Sequence, residues 1–87
     1  MRPGGASMIR LTKHATEAME VRNIPFEWVE RTLRFPDWTD VDPRQTNLTR
    51  AIKAIPEFGG RYLRVVFRPD GPDIVVITVH PDRSAKR

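Results

Sequence analysis

The sequence of 87 residues contains no cysteine, and its longest uninterrupted apolar run, Ile74 to Ile77, has only four residues. Without cysteine the chain has no disulfide framework, no thiolate zinc site and no cysteine nucleophile. A membrane helix needs about 20 apolar residues, and the first eight residues, MRPGGASM, lack the apolar stretch of a signal peptide. We therefore expect a cytoplasmic protein without a membrane partner.

Glycine and serine are scarce where phosphate binding or nucleophilic catalysis would need them. The glycine pairs at 4–5 and 59–60 are isolated, so there is no glycine-rich phosphate loop. The two serines, Ser7 and Ser84, lie near the chain ends, which argues against a serine nucleophile. The carboxylates of residues 37–42 have no histidine close to them in the sequence, and the basic half of the chain has few acidic ligands. We expect neither a metal ion nor a cofactor.

Positive charge is abundant and unevenly distributed. The net charge is +4, with six cations against seven carboxylates in residues 1–43 and nine against four in residues 44–87. Twelve of the fifteen cations are arginine, the side chain that binds phosphates and carboxylates through a planar fork. The basic half fits either a polyanion such as RNA or an acidic protein partner, and high arginine usage from a GC-rich genome accounts for it equally well.

The small size of the chain bears on its assembly. A domain of this length buries only about 60–65% of its unfolded surface, so its own core leaves little stability to spare. A homodimer or a bound partner would supply the missing burial.

The sequence predicts one α+β domain over residues 9–82, between a flexible tail at 1–8 and a basic tail at 83–87. Thr12 is a good N-cap for a helix over 13–22, whose apolar stripe includes Val21, and Asn23 can close that helix. A second helix is predicted over 25–34, with Pro25 in its first turn and Pro36 after its end.

Strands follow the helices. Residues 38–42 form a weak strand, and residues 48–55, 61–68 and 73–80 form stronger ones, the last two joined as a hairpin. Residues 9–11 are either a short strand or the apolar lead-in to the first helix. The expected architecture is two N-terminal helices packed on a three- to four-stranded antiparallel sheet.

The length of the hairpin loop predicts how the last two strands face each other. A loop of two or four residues places Arg61 opposite His80 on one face. It places Tyr62, Arg64 and Arg68 on the other face. A loop of three residues would reverse this arrangement.

Two segments carry a resemblance to a known family. TKHATEAMEVRNIPFEWVERTLRFP (12–36) and GGRYLRVVFRPDGPDIVVITVHP (59–81) resemble the opening and the closing hairpin of the bacterial "forty-two fifty-eight" domain of unknown function. The resemblance covers residues 10–81. The chain departs from the family at Asn23, where glycine is frequent, and at His80-Pro81, where an aromatic residue is common.

This family is in turn similar to the RelE and BrnT bacterial toxins. The resemblance implies a RelE-like α+β fold, an RNA-cleaving activity and an antitoxin protein as partner. It implies the fold more firmly than the activity, because one fold hosts many functions.

Cleavage of RNA without metal needs an acid, a base and cations that stabilise the charge on phosphorus. His14 and His80 are the candidates for acid and base, and Arg61 and Arg64 for phosphate clamps. The residues expected to contact RNA in support are Lys53, Tyr62, Arg68 and Arg22.

Each of these residues also has a structural interpretation. His14 can simply cap and pack at the start of its helix, and His80 can be an ordinary exposed strand residue. The strand arginines can prevent sheet-to-sheet aggregation. The leading hypothesis is a toxin-antitoxin-type domain that either binds RNA or cleaves it without metal. Plain nucleic-acid binding without turnover is a further interpretation and predicts steep salt dependence. The alternative is a non-catalytic protein-interaction module with a basic sheet face.

Overall fold

The computed structural model describes residues 8–83, in which the helices precede most of the strands. The elements are, in chain order, β1 (Ile9–Leu11), α1 (Lys13–Arg22), α2 (Phe26–Arg34), β2 (Trp38–Val41), β3 (Thr49–Ala54), a single 3-10 turn (Pro56–Phe58), β4 (Tyr62–Asp70) and β5 (Asp73–Pro81). The fold class is α+β, as predicted. Of the two predicted tails, all but Met8 and Arg83 lie outside the described residues.

The bounds of α1 agree with the capping residues that the sequence offers. The Thr12 hydroxyl accepts a hydrogen bond from the Ala15 N–H at 3.1 Å, which satisfies one of the free donors of the first turn. Asn23 ends the helix in the left-handed conformation, with φ of 54° and ψ of 45°. Asparagine adopts this conformation more readily than most residues, so the predicted helix end is confirmed.

The predicted start of α2 differs by one residue. Pro25 is the N-cap, in extended conformation, and the helix begins at Phe26. The helix ends at Arg34, and the next residue, Phe35, still donates its N–H to the Arg31 carbonyl at 2.9 Å. Pro36 follows and cannot continue the helix because it has no N–H to donate.

The sheet has five strands in the order β1-β5-β4-β3-β2, and it is mixed. β1 pairs in parallel with β5, while the other pairs are antiparallel. The prediction of three or four antiparallel strands is therefore corrected in both number and orientation. Three residues are too few to show an alternating pattern, and the partner of β1 lies at the other end of the chain, so only long-range pairing identifies it as a strand.

A bulge in β5 sets the register of the central hairpin. Near the turn Asp70 faces Asp73, whereas beyond the bulge Val66 faces Thr78 and Phe67 faces Val76, so Ile77 is the extra residue. The pairing then continues with Arg64 opposite His80. The predicted pairing of Arg61 with His80 is wrong. With Asp70 opposite Asp73, an uninterrupted ladder would place Leu63 opposite His80, and the bulge moves the partner by one more residue, to Arg64.

Both helices pack on the same side of the sheet, α1 mainly on β5 and α2 on β3 and β4. The fully buried residues of this layer come from both helices and from β3, β4 and β5, and include Ala15, Val29, Leu33, Ala51, Leu63, Val65, Val76 and Val79. The prediction that Val21 points inward is wrong, since it is 77% exposed. It lies about 200° around the helix from Met19, on the opposite side.

None of the helices within residues 8–83 is long and apolar enough to span a membrane.

Thr12 joins three elements, and its removal tests how much they depend on it. Its N–H donates to the Val76 carbonyl at 3.1 Å, and its hydroxyl donates to the Ile77 carbonyl at 3.0 Å while capping α1. We expect Thr12→Val to lower the free energy of unfolding by about 1–2 kcal/mol in urea denaturation, because the cap is lost and the shape is kept.

Thr12→Ser keeps the hydroxyl and serves as the matched control, with a loss of less than about 1 kcal/mol. Equal stability of Thr12→Val and the unmodified protein would contradict this role.

Candidate active site

An open groove of about 380 Å³ runs between α1 and the C-terminal half of β5. Its helical wall follows the spacing i, i+3, i+4, i+7, i+8, which is one face of a helix. We call it the histidine groove, and its lining residues are His14, Glu17, Ala18, Val21, Arg22, Thr78, Val79 and His80. Both histidines of the chain therefore border the same open space, although they lie at opposite ends of the domain in sequence.

The groove is open because β1 covers only part of β5. β1 pairs with Ile74–Val76, and the Thr12 hydroxyl binds the next carbonyl, that of Ile77. From Thr78 to Pro81 no strand within residues 8–83 pairs with the outer side of β5. The chain turns into α1 at this point, so the helix becomes the second wall.

His80 is half-buried, and its surroundings favour the neutral imidazole. Burial lowers the pKa of His80 below its ordinary value of 6.5, and the positive charges of Arg64 and Arg22 lower it further. The hydrogen bond with the Pro81 carbonyl, which is the second-largest effect, and the charge of Asp82 raise the pKa, but burial is the largest effect and the net shift is downward. His80 is therefore mainly neutral at pH 7 and able to accept a proton.

A hydrogen bond identifies the tautomer of His80. Its Nδ1 lies 3.3 Å from the Pro81 carbonyl oxygen. A carbonyl oxygen only accepts hydrogen bonds, so Nδ1 must carry the hydrogen in this contact, and Nε2 keeps its lone pair. Nε2 is the atom of His80 that can act as a base.

His14 and Arg22 stand on the helical wall, both exposed. His14 is the second residue of α1, near the N-terminal end of the helix, and Arg22 is its last residue. Arg22 makes no ion pair with any carboxylate among residues 8–83, and its charge acts on His80. The predicted placement of Arg22 on the same helical side as His14 is confirmed.

Arg64, not Arg61, is the strand arginine beside His80, and its charge is already balanced. Its Nε donates to Asp82 Oδ2 at 2.9 Å, and its Nη2 lies 2.9 Å from the same oxygen as an ion pair. The Asp82 side chain is only 8% exposed. The ion pair thus closes the end of the hairpin and reduces the charge that Arg64 could offer to a phosphate.

Arg61 lies in a second depression, of about 460 Å³, at the end of β4 and β5. We call this the terminal groove, and it is lined by Arg61, Tyr62, Pro81, Asp82 and Arg83. It begins at the residue after His80, so the two grooves are consecutive along β5.

Contacts with the 3-10 turn hold Arg61 in place. Its guanidinium carbon lies 3.9 Å from the centre of the Phe58 ring, and its Nε donates to the Phe58 carbonyl at 3.2 Å. The turn itself is fastened to α2, where Arg31 donates two hydrogen bonds to Glu57, at 2.9 and 2.7 Å. These bonds lower the pKa of Glu57 to about 2.

Two predicted site residues lie away from both grooves. Lys53 donates from Nζ to the Phe35 carbonyl at 2.8 Å and lies 3.6 Å from Asp37, on the edge near β2. Arg68 faces Val75, towards the hairpin turn and about 13 Å along β4 from Arg64. The structure therefore does not bring Lys53 or Arg68 together with the histidines.

The sequence analysis missed several groove residues. Glu17, Ala18 and Val21 were recoverable from their spacing after His14. Asp82 and Arg83 follow the last strand and were not recoverable, because only the folded hairpin brings them beside Arg61 and Tyr62. No group of three or more His, Cys, Asp or Glu side chains arranged to hold a metal ion occurs within residues 8–83.

Comparison with known proteins agrees with the resemblance to the "forty-two fifty-eight" domain family. The profile of the family described as "Domain of unknown function (DUF4258)" matches residues 11–81, so the chain belongs to this family. No curated protein and no solved structure matches the chain.

The electrostatic effect on His80 is open to measurement. We expect the imidazole of His80 to titrate below pH 6.5 in NMR spectra, and its pKa to rise in Arg22→Gln, since one nearby positive charge is removed. Lys13→Gln removes a charge from the same helix outside the groove and should leave the pKa of His80 unchanged. A pKa above 6.5 in the unmodified protein would contradict the burial of this side chain.

Proposed function

We propose that this DUF4258 domain is a toxin-type protein that binds RNA and cleaves it without a metal ion, with the histidine groove as its active site. One observation carries the proposal: the two histidines of the chain line one open groove together with Arg22, which has no carboxylate partner within residues 8–83. The sequence resemblance to the RelE and BrnT toxins supports it, and a RelE-like fold is part of the proposal.

The chemistry assigned to the groove divides between its two histidines. His80 Nε2 takes the proton from a ribose 2′-hydroxyl as the 2′-oxygen attacks the adjacent phosphorus. The bond between phosphorus and the 5′-oxygen breaks, and protonated His14 donates a proton to that oxygen. The products are a 2′,3′-cyclic phosphate and a free 5′-hydroxyl. Arg22 stabilises the negative charge that builds on the phosphoryl oxygens.

The environment of His80 suits the role of base. A base must be unprotonated at working pH, and burial together with the nearby arginines lowers the pKa of His80. Its Nδ1 is bound to the Pro81 carbonyl, which fixes the ring with Nε2 available. His14 is exposed at the start of α1, where a leaving group and solvent can both reach it.

A second candidate, a non-catalytic protein-interaction module, is favoured by a different part of the surface. Phe35 is 68% exposed and Val41 is 55% exposed, and they flank or belong to the edge strand β2. Exposed apolar residues beside an open strand edge are typical of protein-binding surfaces. An antitoxin or a second copy of the chain is the partner that this candidate implies.

Cleavage of a labelled mixed-sequence RNA in the presence of EDTA distinguishes the two candidates. We expect discrete fragments ending in a 2′,3′-cyclic phosphate. His80→Ala and His14→Ala should each lower the rate by about 10²–10⁴-fold, because each removes a proton-transfer group. The rate should fall as the pH drops through the lowered pKa of His80, since protonation removes the base.

Arg44→Gln is the control, because Arg44 lies in neither groove. This variant should cleave RNA at the rate of the unmodified protein. The variants are purified in the same way, so that a contaminating nuclease would appear in all of them. Intact RNA at every protein concentration, or equal rates in all variants, would reject the enzyme and leave the interaction module.

A further inference from the structure

The ion pairs of the protein divide its arginines into two sets. Among residues 8–83, five arginines bind carboxylates: Arg10, Arg31, Arg34, Arg50 and Arg64. The other five of that range have no ion pair there: Arg22, Arg44, Arg61, Arg68 and Arg83. Paired arginines stabilise the fold, whereas unpaired ones keep their full charge for a ligand.

Three of the five unpaired arginines lie at the two grooves. Arg22 lines the histidine groove, and Arg61 and Arg83 line the terminal groove. The one carboxylate of the terminal groove, Asp82, is bound by Arg64 and therefore does not repel an anion strongly. The terminal groove thus carries arginine charge that no carboxylate within residues 8–83 neutralises, although Arg61 also contacts the ring and carbonyl of Phe58.

The terminal groove also offers an aromatic ring. Tyr62 lines it, and its ring centre lies 5.4 Å from that of Trp38, with the planes tilted by 60°. This contact and the position of Tyr62 at the start of β4 restrict the ring before any ligand arrives. A restricted aromatic ring beside unpaired arginines is the combination that binds single-stranded nucleic acid, by stacking on a base and contacting phosphate.

We propose that the terminal groove is a nucleotide subsite, in which the base next to the cleaved bond stacks on Tyr62 and its phosphate contacts Arg61 and Arg83. The proposal rests on the proposed function, since it assigns RNA to the histidine groove. Consecutive residues of β5 line the two grooves, His80 the histidine groove and Pro81 the terminal groove. One RNA strand therefore passes from the histidines across Pro81 to Tyr62.

The geometry specifies a single strand as the substrate. In a duplex the bases are stacked on each other, and no base is free to stack on a protein ring. The two grooves are lined by consecutive residues of β5, and in this proposal they hold neighbouring nucleotides of an unpaired segment.

Binding of an uncleavable RNA tests the subsite separately from catalysis. The probe is a fluorescent single-stranded hexanucleotide with a 2′-O-methyl group at every position, which has no 2′-hydroxyl to attack phosphorus. We expect Tyr62→Leu to weaken its binding about tenfold in fluorescence anisotropy, because stacking of one base is lost. Tyr62→Phe keeps the ring and should bind within twofold of the unmodified protein.

Salt dependence tests the arginines. We expect Arg61→Gln to reduce the slope of log affinity against log salt by about 0.7, the value for one phosphate contact on a single strand. Arg44→Gln removes an equally unpaired arginine outside the grooves and should leave the slope unchanged. If circular dichroism shows that Tyr62→Leu does not fold, binding by Arg61→Gln and Arg83→Gln tests the subsite instead.

The outcomes separate this subsite from the proposed function. Tyr62-dependent binding without any cleavage of ordinary RNA would contradict the catalytic role of the histidines and support the subsite. Cleavage of ordinary RNA, with Tyr62→Leu binding as tightly as the unmodified protein, would overturn the subsite alone. Absence of binding by the unmodified protein, or an equal slope change in Arg44→Gln, would also overturn it.

Discussion

The arrangement of the domain depends on the hydrogen bonds of a single threonine. Thr12 ends β1, caps α1 and binds two consecutive carbonyls of β5, those of Val76 and Ile77. These bonds determine where the chain leaves the sheet and at what point of β5 the helix starts. His14 follows Thr12 by two residues and His80 follows Ile77 by three, so the same junction brings the two histidines to one groove.

Charge has two different uses in this protein. On the sheet side without helices, Arg50 pairs with Asp40, and Arg64 pairs with Asp82, so that cations and carboxylates cover the apolar residues between them. Val66, Ile52 and Val75 are nearly inaccessible there, although no helix lies over them. The stems of the arginine side chains explain this burial. A basic sheet face is therefore partly a covering layer, and its unpaired arginines lie towards the two ends of β4, Arg68 near the hairpin turn and Arg61 at the terminal groove.

Local rules predicted the helices well and the site less well. The N-cap at Thr12 and the left-handed Asn23 were readable because each depends on a few adjacent residues. The bulge at Ile77 could not be read from the sequence, because the residue pattern of 74–79 shows no change at Ile77. The pairing of Asp70 with Asp73 across a two-residue turn, together with the extra residue of the bulge, places Arg64 rather than Arg61 opposite His80, and Arg61 lies in the terminal groove. The sharing of one groove by His14, Arg22 and His80 required the parallel pairing of β1 with β5, which no local pattern contains.

The parallel pairing of β1 and β5 also constrains when the groove can form. β1 is the first strand of the described residues and β5 is the last, and the hydrogen bonds between them add β1 to the edge of the sheet. During synthesis α1 emerges early, but its groove-facing side has no opposite wall until Thr78 and His80 have been added and β5 has paired with β4. A nascent chain or a fragment that stops before β5 thus carries His14 without His80. The groove is a property of the finished chain, and incomplete translation products cannot possess it.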